Sequence, residues 1–523
     1  MKGEPKMKNI ILTLTVIFAV HLSATIIHVP DDQATIQEGI NIAVDGDTVL
    51  VADGMYTGML NKELTWDGTE KHIIVKSLNG YENCIIDCQN NGRAFYFYET
   101  YQDSTDIIEG FTISNGFIYN GNLGGGAICC YYASPTIKNN KILNNFADEC
   151  SGGGILLIRS DSKILGNLII GNSADYEGMP GGASGGGIKT MYGSPLIMDN
   201  IIMNNEVTCS DMESGAIGAG IWASSSSSPS EIQVKIINNL VVNNSASSSW
   251  GQTDGGGIFL YCYNGSSLVI NNTIYGNSTS SGSALRCIGG RVINNIISNN
   301  YQTGLSVNGN SFPVEVKNNN VFSNGQDFEN CPTGIGDTSW GFNINGTASD
   351  SCYNISEDPQ FTSDSNNNYF LSQYDSGQNT QSSCVNAGYG VPNDFGLLEY
   401  STRTDLFFDE GYVDIGFHYL GYEPQENDDE TVLIQNYFLT NHPNPFNPST
   451  EIRYRLSDVR EIDTASIEIY NIKGQKVDRL PVTPSGVEGS VTWNADRFAS
   501  GVYFYKLVAD GKEAATKKML LLK

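Results

Sequence analysis

The sequence predicts an all-β chain, a solenoid of stacked parallel coils followed by a small β-sandwich. Three observations carry that prediction. Gly-rich tetrads recur as Gly125-Gly126-Ala127-Ile128, Gly152-Gly153-Gly154-Ile155, Gly185-Gly186-Gly187-Ile188, Gly218-Ala219-Gly220-Ile221 and Gly255-Gly256-Gly257-Ile258, with Gly282-Ser283-Ala284-Leu285 as a worn copy. Two asparagines five apart follow each tetrad: Asn140/Asn145, Asn167/Asn172, Asn200/Asn205, Asn239/Asn244, Asn272/Asn277 and Asn295/Asn300. Beyond Asn436 the repeat gives way to longer alternating segments such as Glu451-Ile452-Arg453-Tyr454-Arg455-Leu456, at the spacing of a sandwich.

Start-to-start spacings of the tetrads are 27, 33, 33, 37 and 27 residues. Helical repeats of that length would show apolar residues at i, i+3 and i+4. Here the apolar segments are short, rich in Ile and Val, and punctuated by Gly and Asn, which tolerate the left-handed backbone of sharp corners. Stacking the copies sets each Asn about 4.8 Å from its counterpart, where side-chain amides hydrogen-bond along a ladder. The result is a parallel β-helix.

Composition fits this reading. The 523 residues include 57 Asp+Glu against 29 Lys+Arg, a formal charge of −28, which excludes a nucleic-acid partner on the general need for basic side chains at phosphates. The charge is uneven: residues 25–430 hold 14 basic and 46 acidic side chains, net −32, whereas residues 431–523 hold 12 and 10, net +2. That shift marks a domain boundary, with residues 421–436 as an acidic linker.

Taken in chain order, residues 1–24 read as a secretory signal: Lys2, Lys6 and Lys8, an apolar run from Ile10 to Val20, and cleavage after Ala24. The run is too short to span a bilayer as a helix, which takes about 20 residues. Residues 25–109 are expected to form an N-terminal cap and the first coils, with an amphipathic helix from Thr35 to Ala43 covering the open edge. Asp45, Asp47 and Asp53 read as turn residues. Regular coils follow over 110–325, a closing segment and terminal cap over 326–420, and the sandwich, immunoglobulin-like in its strand spacing, over 437–523. The 11 cysteines all lie between Cys84 and Cys384 and form no CxxC pair, so they read as small buried apolar residues with one or two disulfides between neighbouring turns.

The coils and their Asn ladders resemble the right-handed parallel β-helix proteins of the pectin-lyase-like superfamily, over roughly residues 26–420. The tail resembles the C-terminal sorting domain of the type IX secretion system through Asn444-Pro445-Phe446-Asn447-Pro448-Ser449-Thr450, Ile469-Tyr470-Asn471-Ile472-Lys473-Gly474, Ser500-Gly501-Val502-Tyr503-Phe504-Tyr505 and the final Lys517 to Lys523. The second resemblance implies the type IX machinery as partner, passage across the outer membrane, and attachment to the cell surface or release.

Candidate sites are fewer. His28, His72 and His418 stand outside the regular coils, so a His-based triad within them is excluded. Lys163, Lys235 and Arg291 share one phase but alternate with Thr136, Leu196 and Leu268, as on a solvated face. The loops after the second ladder Asn recur at one corner and carry Asp148, Glu149, Asp175, Glu177, Asp211, Glu213 and Asp254, with Tyr176 and Trp250 beside them. They are expected to form an acidic rim that takes up Ca²⁺ through oxygen ligands, with the two aromatics stacking on sugar rings. The expectation is an exported glycan- or surface-binding display protein; the alternative is a polysaccharide lyase or glycoside hydrolase.

Overall fold

The computed structural model describes residues 24–66, 71–100, 102–119, 123–176, 182–210, 215–225, 233–262, 265–308, 313–362, 368–409, 411–420, 437–442, 446–456, 464–471, 473–482, 489–509 and 512–523. The signal segment, the linker 421–436 and the rim residues Glu177, Asp211 and Glu213 lie outside them.

One coil shows how the repeat folds. After Gly125-Gly126-Ala127 comes Ile128–Tyr131 in a first sheet, then Thr136–Lys138 in a second, Lys141–Leu143 in a third and Phe146–Asp148 in a fourth. Each strand pairs in parallel with the same strand of the coils before and after it, giving nine, eleven, ten and six strands in the four sheets among the described residues. The fourth sheet departs from the loop expected there. Its strands, Phe117–Tyr119, Phe146–Asp148, Ser173–Tyr176, Glu206–Cys209, Ser245–Ser248 and Ser278–Thr279, stack in register because Ile118, Ala147, Ala174, Val207 and Ala246 point inward as one column. Segments of two to four residues are too short for their alternation to stand out in a sequence.

The interior is filled the same way. Ile137, Ile164, Ile197, Ile236, Val269 and Val292 form one buried column in the second sheet, and Ile142, Ile169, Ile202, Val241, Ile274 and Ile297 another in the third. The tetrads turn the tight corner before the first sheet. Gly152 has φ +73°, which glycine adopts without strain, and a Cβ on Gly154 would crowd the Gly187 carbonyl oxygen of the next coil at 2.6 Å.

At the two Asn corners the residue before each ladder Asn takes the left-handed conformation: Asn139 and Asn144, then Gly166 and Gly171, then Asp199 and Asn204. The ladder Asn itself turns inward and is fully buried. Asn145 Nδ2 donates to Asn172 Oδ1 at 2.9 Å, Asn172 to Asn205 at 3.0 Å, Asn205 to Asn244 at 2.9 Å, Asn244 to Asn277 at 3.0 Å and Asn277 to Asn300 at 3.2 Å. A second row runs Asn140, Asn167, Asn200, Asn239, Asn272, Asn295 and Asn319, and ends at Asn354.

The N-terminal helix, Ile36–Ile42, is capped by Thr35, whose Oγ1 accepts from Glu38 N, and it buries Ile36 and Ile40 over the first coil. Asp47 accepts from Thr25 N and Val44 N, which is turn chemistry. His28 and His72 belong to the first coils: His28 lies in the strand Ile26–Val29, and His72 just precedes Ile74–Ser77 of the same sheet.

The segment expected to close the end also runs back along the side. Asn318 Nδ2 donates to Ala387 O, Asn294 to Tyr389 O, Asn271 to Asp414 O and Asn238 to His418 O, while Tyr400 donates to Asp199. Asn318, Asn294, Asn271, Asn238 and Asp199 are the left-handed corner residues of five successive coils. The main chain that follows the last coil therefore clasps the flank of the stack.

None of the eleven cysteines, all among the described residues, forms a disulfide, in contrast to the one or two expected between neighbouring turns. In-register stacking explains it, because Cys130 meets Phe97 and Leu157, and Cys287 meets Leu260 and Val307, rather than another cysteine. Burial pushes the thiols of Cys84 and Cys88 up to about 12.

The tail is a separate antiparallel unit. Tyr437–His442, Ser449–Leu456 and Gly489–Asn494 form one sheet; Lys476–Val482, Ala465–Asn471, Gly501–Ala509 and Lys512–Leu521 form the other. Both contribute to a core that includes Ile452, Ile467, Tyr505, Leu507 and Trp493.

Candidate functional site

Of the acids of the expected rim, Asp148, Glu149, Asp175 and Asp254 lie among the described residues. Asp148 and Asp175 are register neighbours in the fourth sheet, and Asp175 already accepts from Thr208 Oγ1 at 2.6 Å and Tyr176 N at 2.8 Å. Glu149 sits in the left-handed region. Asp254 accepts from Ser283 Oγ at 2.6 Å and Gly255 N at 3.0 Å, and lies 3.4 Å from Arg286 Nε. It is committed to holding the next coil. Tyr176 packs on Ala183, Val207 and Ala216, whereas Trp250 is 68% exposed.

Among the described residues the one group of three side chains spaced to share a metal lies elsewhere: His72, Asp103 and Asp106. Its oxygens are occupied. Asp106 is fully buried and accepts from Trp66 Nε1, Ile73 N and Asp103 N, and His72 Nδ1 lies 2.8 Å from it; that bond holds the imidazole above its usual pKa. The arrangement is a hydrogen-bonded corner that shapes an early coil.

A different surface gathers chemistry. The first sheet, entered through the Gly corners, carries one in-register row at the second strand position, Cys129, Leu156, Lys189, Trp222, Phe259 and Arg286; Cys129 and Leu156 are buried, and the last four are half-buried. Trp222 and Phe259 lie parallel, with centroids 6.3 Å apart and planes 6° apart, and Lys189 Nζ sits 5.1 Å from the Trp222 ring. A second row begins with Tyr98 and Tyr131, stacked at 4.8 Å. The six strands from Phe95–Tyr98 to Ile258–Tyr261 contain no Asp or Glu, on a body that is otherwise strongly acidic. Burial pushes the Lys189 ammonium down to about 8, and no carboxylate among the described residues pairs with it.

At the corner after this sheet Tyr132, Arg159 and Tyr192 occupy equivalent positions of three consecutive coils. These residues escape a search for acids or histidines. Their signal is positional, since each stands four residues after the Ile of its tetrad.

The expected basic row on the second sheet runs Thr136, Lys163, Leu196, Lys235, Leu268 and Arg291, and ends in an Arg291–Glu315 ion pair at 2.6 Å. It is a structural surface.

Fold and faces together define an elongated right-handed parallel β-helix protein, and the comparisons agree with that class. The family model described as right handed beta helix region matches residues 72–241, and the one described as secretion system C-terminal sorting domain matches residues 441–522. Comparison with curated proteins and with solved structures finds no match. The chain is thus a right-handed β-helix protein with a type IX sorting tail, exported to the cell surface or the extracellular space. Among the described residues no helix is long and apolar enough to cross a membrane.

Proposed function

We propose that the protein is a glycan-binding display module whose binding surface is the outward face of the first sheet. The observation that carries this is the in-register row Lys189, Trp222 and Phe259, together with the stacked pair Tyr98 and Tyr131 at the fourth strand position of earlier coils of the same sheet. Flat aromatic faces repeated at coil spacing suit the apolar faces of successive sugar rings, and a rigid sheet holds them without an ordering cost on binding. Retention on immobilised polysaccharides tests it: Trp222→Ala should weaken binding about tenfold without lowering the melting temperature by more than a few degrees. Unchanged retention would remove this face from consideration.

One observation favours a second reading, depolymerisation. An amine titrating at about 8 suits a general base that removes a proton from a uronate ring. Product absorbance from unsaturated ends, lost in Lys189→Met, would establish it; its absence over a panel of acidic polysaccharides leaves binding alone.

A further inference from the structure

We infer that the corner column Tyr132, Arg159 and Tyr192 is a subsite for an anionic polysaccharide, one whose sugar rings carry carboxylate or sulfate groups. The inference rests on the glycan-binding reading above and names the charge of the ligand. The three residues follow the outward face of the first sheet in three successive coils, and their backbones hydrogen-bond in series, Tyr132 N to Ile158 O, Arg159 N to Met191 O and Tyr192 N to Ser224 O. The guanidinium carbon lies 5.1 Å from the Tyr132 ring centre and 5.9 Å from that of Tyr192, so the cation is flanked by an aromatic on each side.

Two further features point to a ligand. Arg159 is exposed and has no carboxylate within ion-pair distance among the described residues, although the body around it carries 46 acidic side chains against 14 basic ones. Other arginines of the solenoid are matched, Arg291 by Glu315 and Arg403 by Asp405. All three corner residues are also held at positive φ, 55°, 50° and 61°. Bulky side chains seldom accept that conformation, and where they do the surrounding structure retains them against an easier Gly or Asn. Two corners of the same coils, by contrast, use Gly, Asn or Asp.

Chemistry then selects the ligand. A guanidinium presents a planar fork of N–H donors that matches a carboxylate or sulfate edge, and the tyrosines offer faces for the rings on either side. A chain lying along the solenoid axis would meet Tyr132, Arg159 and Tyr192 in turn. Glu99 occupies the same corner one coil earlier, where it repels an anion, so the subsite ends at Tyr132.

The test uses the full chain and three probes in the presence of a chelator, so that no bridging cation contributes: polyuronate, a sulfated glycosaminoglycan, and the carboxyl-reduced, neutral form of the polyuronate. The parent protein should bind at least one anionic probe more tightly than the neutral one. Arg159→Gln should weaken that binding about tenfold and leave the neutral probe unaffected, with Arg159→Lys between the two. Tyr132→Gly should weaken it about threefold while the melting temperature holds or rises, a pairing that a purely structural residue would not show. Equal anionic binding by the parent and Arg159→Gln overturns the inference. Tighter binding of the neutral probe overturns it too but leaves the glycan-binding reading standing, and failure to bind any probe overturns both.

Discussion

The solenoid and the tail are both β-structures, yet they are stabilised in opposite ways. Solenoid strands, most of three or four residues, pair with their own copies one coil away, and the corners are pinned by rows of buried amides. Tail strands of six to ten residues pair antiparallel around an aromatic core of Trp493, Phe446, Tyr503 and Tyr505. A stack that contacts only its neighbours needs a device repeated in every coil, since no central core serves all of them. The tail has one core and needs no such device. Damage should therefore spread locally along the solenoid and globally within the tail.

The sharpest way to break that contrast is at a ladder residue. Asn172 Oδ1 accepts from Asn145 N and Asn145 Nδ2, and its own Nδ2 donates to Ile142 O and Asn205 Oδ1. Asn172→Leu should cost about 3–6 kcal/mol by leaving a buried N–H and carbonyl unpaired. Hydrogen exchange should rise in the coils on both sides and fade further along; a uniform rise would show that the solenoid unfolds as one body. Trp493→Ala should cost about 3–5 kcal/mol, because the ring is 1% exposed and packs on Phe446, Phe498 and Tyr503. Calorimetry should show the loss in the tail transition alone.

The clasp offers a smaller, pH-dependent effect. Burial, with Asp409 beside it, pushes Asp414 up to about 7 from its ordinary 3.8. Between those values the unfolded segment has lost a proton that the folded one keeps, so the clasp is most stable below about pH 4 and weakens as pH rises to about 7. Hydrogen exchange over 384–420 should quicken across that window and flatten in Asp414→Asn. The smallest effect is expected at a corner: Asn144, at φ +54°, should accept Gly within about 1 kcal/mol, in contrast to its neighbour Asn145.

That last pair shows what a sequence reveals and hides. The period of the asparagines makes the coil legible, because a buried amide ladder demands the same residue at the same phase in every copy. Doublets such as Asn139-Asn140 conceal which member ladders and which turns; Gly166-Asn167 and Asp199-Asn200 resolve it, since only the first member varies. The face of the first sheet was harder to see. The second strand position changes from Cys to Leu to Lys to Trp to Phe, and only the in-register stacking of separate coils brings the half-buried Lys189, Trp222 and Phe259 together. The acids drew notice by their charge, but Asp175 and Asp254 spend their oxygens on neighbouring hydroxyl and backbone donors.

Repeat stacks ordinarily gain or lose a unit without penalty, because every interface is equivalent to the next. The clasp removes that freedom. Its bonds to Asn318, Asn294, Asn271 and Asn238 fall on a fixed sequence of corners, read in reverse by one continuous stretch of chain. A duplicated or deleted coil within that span would put every later bond out of step, so the protein carries a built-in measure of its own length.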